Sequence, residues 1–177
     1  MSKYKPLDAP ITRREACTII DRKRFDGAVR SGDIVALGKL GKSGTFHHHH
    51  KNSVVPEEDG AQTAPLMFSQ PEVRTYAKAV GDELAIESRG HRSAAKDIAK
   101  RKPPLTRRQI ATHLGRKQTG ILVRAGIIAS YGALTDTQTA AHTYDPADVA
   151  KAINGLADLR LAESRLLLAA SKVRVPA

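Results

Sequence analysis

The chain has 177 residues, with 29 Lys or Arg against 18 Asp or Glu and a formal charge of +11. A cationic excess of that size points to an anionic partner, nucleic acid before membrane surface. With one cysteine, 4% aromatics and no Trp, a disulfide framework, a cysteine-based zinc finger and the ring-stacking single-strand binders are excluded. No apolar run reaches the roughly 18 residues of a membrane span, and the start MSKYKPLDAP has no signal-peptide core, so the expectation is a cytoplasmic, nucleoid-associated protein without a membrane role.

The charge is sorted along the chain. Residues 1–55 carry 11 basic and 5 acidic side chains, 56–90 carry 3 and 7, 91–131 carry 10 and 1, and 132–177 carry 5 of each. The two basic blocks are copies of one another. Pro10–Leu37 aligns without a gap on Pro104–Tyr131, offset by 94 positions, with Thr12, Arg13, Arg14, Thr18, Arg22, Lys23, Val29, Arg30, Gly32 and Ile34 repeated identically. A duplicated unit therefore predicts two similar modules.

In chain order, each copy reads as helix, tight turn, helix and hairpin. Thr12 with Glu15, and Thr106 with Gln109, have the spacing of a capping box, which satisfies the free amides of a helix start. The first helices are expected over Arg13–Ile20 and Arg107–Leu114, turning at Asp21 and Gly115. The second helices run to about Ser31 and Ala125, with Phe25, Ala28 and Val29 inward in one copy and Leu122 and Val123 in the other. Gly32 and Gly126 suit left-handed helix ends. Hairpins are expected at Ile34–Leu37 with Thr45–His50, and at Ile127–Tyr131 with Ala141–Tyr144. Between the copies, 51–70 reads as a linker, Pro71 onward as a helix (Val73, Ala77, Val80, Leu84), and Ser93–Lys100 as a short basic helix stopped by Pro103-Pro104. Asp145 and Pro146 open a final helix. Asn154-Gly155 is a candidate break, followed by an apolar stripe of Leu156, Leu159, Leu166, Leu167 and Ala170.

These residues resemble the excisionase/MerR-type winged helix-turn-helix family. The second copy also carries that family's closing element in Tyr144, Asp145, Pro146, Asp148 and Val149, which the first copy is read as lacking. The expected fold class is mainly α with small β wings. Two winged helix-turn-helix modules (1–55 and 104–155) would be joined by an acidic, partly helical connector (56–103) and followed by a C-terminal helix (156–177). The resemblance implies that each second helix enters the DNA major groove and each wing meets backbone or minor groove. Carried onto this chain, the second-helix contacts are Arg22, Lys23, Arg24 and Arg30 in the first copy. In the second they are Arg116, Lys117, Gln118, Thr119 and Arg124. Arg13, Arg14, Arg107 and Arg108 would grip backbone from the first-helix starts, and Lys39 and Lys42 sit on the first wing.

No cofactor, metal or catalytic residue is expected. The run His47–His50 alternates faces in a strand and makes a poor ligand cage. His91, His113 and His142 are isolated. Cys17 reads as a small packing residue, and GKLGKSGT is too short for a phosphate loop. The function read from the residues is sequence-selective duplex binding by a regulator or a phage or plasmid accessory factor, not an enzyme. Two linked readers would serve half-sites about one helical turn, roughly 34 Å, apart. The C-terminal helix is a candidate homodimer contact. The alternative is a structural or adaptor protein, or an RNA-binding clamp, that uses the same modules for docking.

Overall fold

The computed structural model describes residues 6, 8–40, 46–48, 65–130, 132–133, 142–173 and 175. The chain is mainly helical with two small antiparallel sheets, and divides into two compact units, Met1–Asp82 with Arg165–Ala177, and Glu83–Ser164. Among the described residues no helix is long and apolar enough to cross a membrane.

The first unit opens with β1 (Pro10–Thr12), α1 (Arg13–Ala16), α2 (Arg22–Ser31), β2 (Ala36–Leu40) and β3 (Phe46–His48). It continues with β4 (Leu66–Ser69) and the start of α3 (Gln70–Ala99). The second contains β5 (Leu105–Thr106), α4 (Arg107–Leu114), α5 (Arg116–Arg124), β6 (Gly132–Ala133), β7 (His142–Tyr144) and most of α6 (Pro146–Ala170). Residues 70–82 of α3 belong to the first unit and 83–99 to the second; α6 is divided at Ser164.

The local signals behave alike in both copies. Each threonine hydroxyl accepts from the backbone amide three residues on, Glu15 or Gln109, at 3.3 Å. Each Glu15 or Gln109 side chain accepts in return from its threonine amide, at 2.7 Å. Removing that hydroxyl, as in Thr106→Ala, should cost about 1 kcal/mol, measured as a lowered urea midpoint. Gly32 (φ 85°) and Gly126 (φ 68°) take the left-handed conformation just beyond the second helices. The chain then turns so that Ile34 and Ile128 are buried while their neighbours Val35 and Ile127 stay exposed.

Four expectations are corrected. Helix α1 closes at Ala16 rather than Ile20, and residues 17–20 form a turn that buries Ile19 and Ile20. The first hairpin forms, with β2 antiparallel to β3 (Gly38 with His48, Leu40 with Phe46), but its strands are displaced from Ile34–Leu37 and a further strand joins it. The sheet order β1-β4-β2-β3 makes β3 an outer strand, and β4 returns between β2 and β1. Its counterpart is β7 in the order β5-β7-β6. Ile11 faces Phe68 as Leu105 faces Tyr144. The first copy therefore has a structural counterpart of the second copy's strand-to-helix step, at Phe68-Ser69-Gln70-Pro71-Glu72-Val73, although it lacks the Asp-Pro pair. The residues separating β2 from β4 displace it from the 94-position offset and hide it from a gapless alignment.

The third correction concerns the helices expected after Pro71. One helix, α3, runs from Gln70 to Ala99 through Gly81 and Gly90 where two separate helices are expected, and most of the linker expected at 51–70 lies outside the described residues. The fourth is that α6 passes unbroken through Asn154-Gly155 to Ala170. With the strands matched, α3 and α6 correspond residue by residue: Val73 with Val149, and Glu87-Ser88-Arg89 with Glu163-Ser164-Arg165. Ser88 and Ser164 are both buried. Within the second unit, Ser88 Oγ donates to the Ala157 carbonyl (2.8 Å) and Arg92 pairs with Asp158 (2.8 Å). Of the apolar stripe, Leu167 is buried and Leu156 half-buried, whereas Leu159 and Leu166 are exposed.

The two cores use the same positions with different side chains. Ile11, Ala16, Phe25, Ala28, Ile34, Phe68, Val73 and Ala77 correspond to Leu105, Ile110, Thr119, Leu122, Ile128, Tyr144, Val149 and Ile153, all buried. In the first unit the large ring of Phe25 shares the frame with three alanines, at 16, 28 and 77. In the second the small Thr119 shares it with Ile110, Leu122 and Ile153. Volume is redistributed within a common frame, which close packing demands.

Candidate nucleic-acid interface

The capped start of α4 and the N-terminal turn of α5 project Arg107, Arg108 and Arg116 around one cleft of about 480 Å³, floored by Ala111 and Thr112. Arg107, Arg108, Arg116, Lys117 and Arg124 are all exposed, and among the described residues none of them pairs with a carboxylate. The local reason is compositional: Pro104–Tyr131 contains no Asp or Glu. The Arg107 guanidinium lies along α5, with Nη2 3.1 Å from where a Cβ on Gly120 would sit. Arg124 Nε donates to the Gly120 carbonyl at 3.2 Å, which fixes the root of that side chain. Gln118, in the first turn of α5, is half-buried.

Thr119 does not belong to this surface. It is fully buried, and its hydroxyl donates to the Gly115 carbonyl at 2.9 Å. The repeat carried the warning, since Thr119 aligns with Phe25, an inward position.

The matching face of the first unit is chemically different. Arg13 grips the Asp26 carboxylate with two nitrogens, the shortest contact being 2.6 Å. Arg22 lies 3.8 Å from the same carboxylate, and Arg30 Nε donates to the Asp26 carbonyl at 3.1 Å. Arg24 pairs with Asp21 at 2.8 Å, and Asp21 also accepts from the Arg24 amide as the α2 cap. Arg14 and Lys23 are exposed, Lys39 is half-buried on β2, and Lys42 lies outside the described residues. Two of the predicted phosphate-seeking arginines, Arg13 and Arg24, are thus held against acids of their own unit.

The Arg13 hydrogen bonds, with Arg22 and Arg30 adding positive charge, hold the Asp26 carboxyl below the usual carboxylate range. Stability from this pair is fully present above the unfolded carboxylate pKa, about 4. It is lost as pH falls through the lower folded value. Wild type and Asp26→Asn should differ in melting temperature at pH 7 and converge in strongly acid solution. A gap that persists at the acid end would mean that Asp26 acts through shape rather than charge.

Other sequence candidates are placed as follows. Cys17 is a half-buried free thiol at the end of α1, and burial pushes its pKa up, away from nucleophilic character. His47 and His48 pair through the backbone with Lys39 and Gly38, and His49 and His50 lie outside the described residues. His91 and His113, which the sequence left isolated, line one cavity of about 420 Å³ with Glu87 and Arg160. Among the described residues no group of three or more His, Cys, Asp or Glu is placed to hold a metal ion. An apolar groove of about 700 Å³ also opens beside α5, with Ile121, Ile127 and Leu159 exposed along it. Of these three, only Leu159 belongs to the apolar stripe read from the sequence. No protein-family model, curated protein or solved structure matches the chain.

Proposed function

We propose that the protein binds double-stranded DNA through two units of winged helix-turn-helix type. The observation that carries this reading is the arginine-rimmed cleft of the second unit: three guanidinium groups converge without a carboxylate among the described residues to neutralise them. Arginine forks match phosphate oxygens in pairs, and a cleft at the base of an exposed cationic helix suits a backbone phosphate beside a groove. Arg116, Lys117, Gln118 and Arg124 would then face base edges or flanking phosphates, with β6–β7 as the wing. The resemblance to excisionase/MerR-type proteins supports a regulator or a phage or plasmid accessory factor.

Binding of the full chain to a labelled duplex across a salt series tests the reading. Affinity should fall by orders of magnitude between about 50 and 200 mM salt, and a random duplex pool should yield a preferred sequence. If no duplex binds at low salt, the DNA reading fails. A second reading, an adaptor that docks on protein, is favoured by the exposed Ile121, Ile127 and Leu159. It predicts no salt-sensitive duplex affinity.

A further inference from the structure

We propose that the two copies have divided the work, with the second unit making the phosphate contacts that carry duplex affinity and Asp26 competing with DNA for the arginines of the first. The inference rests on the duplex-binding reading and assigns that activity unequally. It starts from a comparison that the chain makes with itself. Each arginine of the second unit's cleft has an identical counterpart: Arg107 with Arg13, Arg108 with Arg14, and Arg116 with Arg22. What differs is the company they keep. The four acids Glu15, Asp21, Asp26 and Asp33 correspond to Gln109, Gly115, Gly120 and Ile127.

The decisive pair is Asp26 and Gly120. In the first unit a carboxylate stands on the second helix where the first helix's leading arginine reaches it, at 2.6 Å, with Arg22 at 3.8 Å. In the second unit the same arginine passes over a glycine, with Nη2 3.1 Å from the missing Cβ position. A phosphate approaching Arg107 meets, among the described residues, no carboxylate that pairs with this arginine. One approaching Arg13 must displace a carboxylate that already uses the guanidinium fork, and is repelled by that carboxylate's charge. The penalty is electrostatic and at the surface, so salt screens it: the two units should differ most at low ionic strength.

The experiment compares full-length variants on one labelled duplex by fluorescence anisotropy at several salt concentrations, with circular dichroism melts as the folding control. The triple variant Arg107→Ala/Arg108→Ala/Arg116→Ala should lose about ten- to a hundred-fold in affinity and flatten the salt dependence. The matching Arg13→Ala/Arg14→Ala/Arg22→Ala should lose less than about three-fold. Asp26→Ala should tighten binding about three-fold or more at low salt, and the gain should shrink as salt rises. Asp26→Asn, which keeps the side-chain shape, should do the same and guards against a folding defect in the alanine variant. Equal losses in the two triple variants, or no tightening in either Asp26 variant, would overturn the division while leaving duplex binding intact. Failure of the wild type to bind duplex at low salt would overturn both.

Discussion

Phe25→Ala is expected to destabilise the first unit by about 3–5 kcal/mol. The ring is almost completely buried and meets Phe68 edge-on, with centroids 4.9 Å apart and planes at 84°. Three further positions of the shared core frame are alanines, at 16, 28 and 77, side chains too short to extend into the space a lost ring leaves. The cavity therefore persists, and the full transfer and void terms apply. The same position in the second unit holds Thr119, where Thr119→Ala removes a small side chain and one internal hydrogen bond (2.9 Å). That change should cost only about 1 kcal/mol. Urea unfolding of both variants by circular dichroism measures the contrast. Similar losses would mean that the two cores are not packed around the same frame.

The second large effect is on binding. Each arginine of the second unit's cleft that neutralises a phosphate contributes about one unit to the slope of log affinity against log salt. Removing Arg107, Arg108 and Arg116 together should therefore reduce the slope by about 2–3. The accompanying loss of ten- to a hundred-fold is about 1.4–2.8 kcal/mol. The salt slope is the more diagnostic quantity, because a variant that merely misfolds lowers the active fraction without changing the slope of what remains. Arg124→Ala probes the other end of α5. Its guanidinium root is anchored on the Gly120 carbonyl at 3.2 Å, so the side chain is partly organised before DNA arrives. A loss of about 1–3 kcal/mol is expected if it reaches a base edge or phosphate, and an unchanged affinity would remove α5 from the interface.

Several features were legible in the residues because short-range geometry governs them. A threonine followed three positions later by Glu or Gln caps a helix whatever lies around it, and both boxes are formed. Glycines at 32 and 126 adopt positive φ because the absent Cβ removes the clash that excludes other residues. The duplication itself could be read from matching letters, and it predicted two units that share a core frame. Helix α4 has the expected bounds because its cap, apolar face and terminating glycine all lie within nine residues of one another.

What the sequence alone determined about this protein is therefore its cationic excess, its duplicated plan and the local helix punctuation. Tertiary structure decided the rest. Only strand pairing could show that Leu66–Ser69 enters the first sheet between β2 and β1, since the partners are far apart in the chain and alternation does not specify them. Only packing could carry α3 through Gly81 and Gly90 and α6 through Asn154-Gly155. Burial of faces such as Val73 with Ala77, and Val149 with Ile153, outweighs a weak helix propensity of about 1 kcal/mol per glycine. The fate of the arginines was beyond sequence for the same reason. Arg13 and Arg107 are identical letters in the same Thr-Arg-Arg triplet, yet a residue 13 positions away, Asp26 in one copy and Gly120 in the other, decides whether the charge is already satisfied. Electrostatic partners are set by distance in space, which a linear reading does not contain.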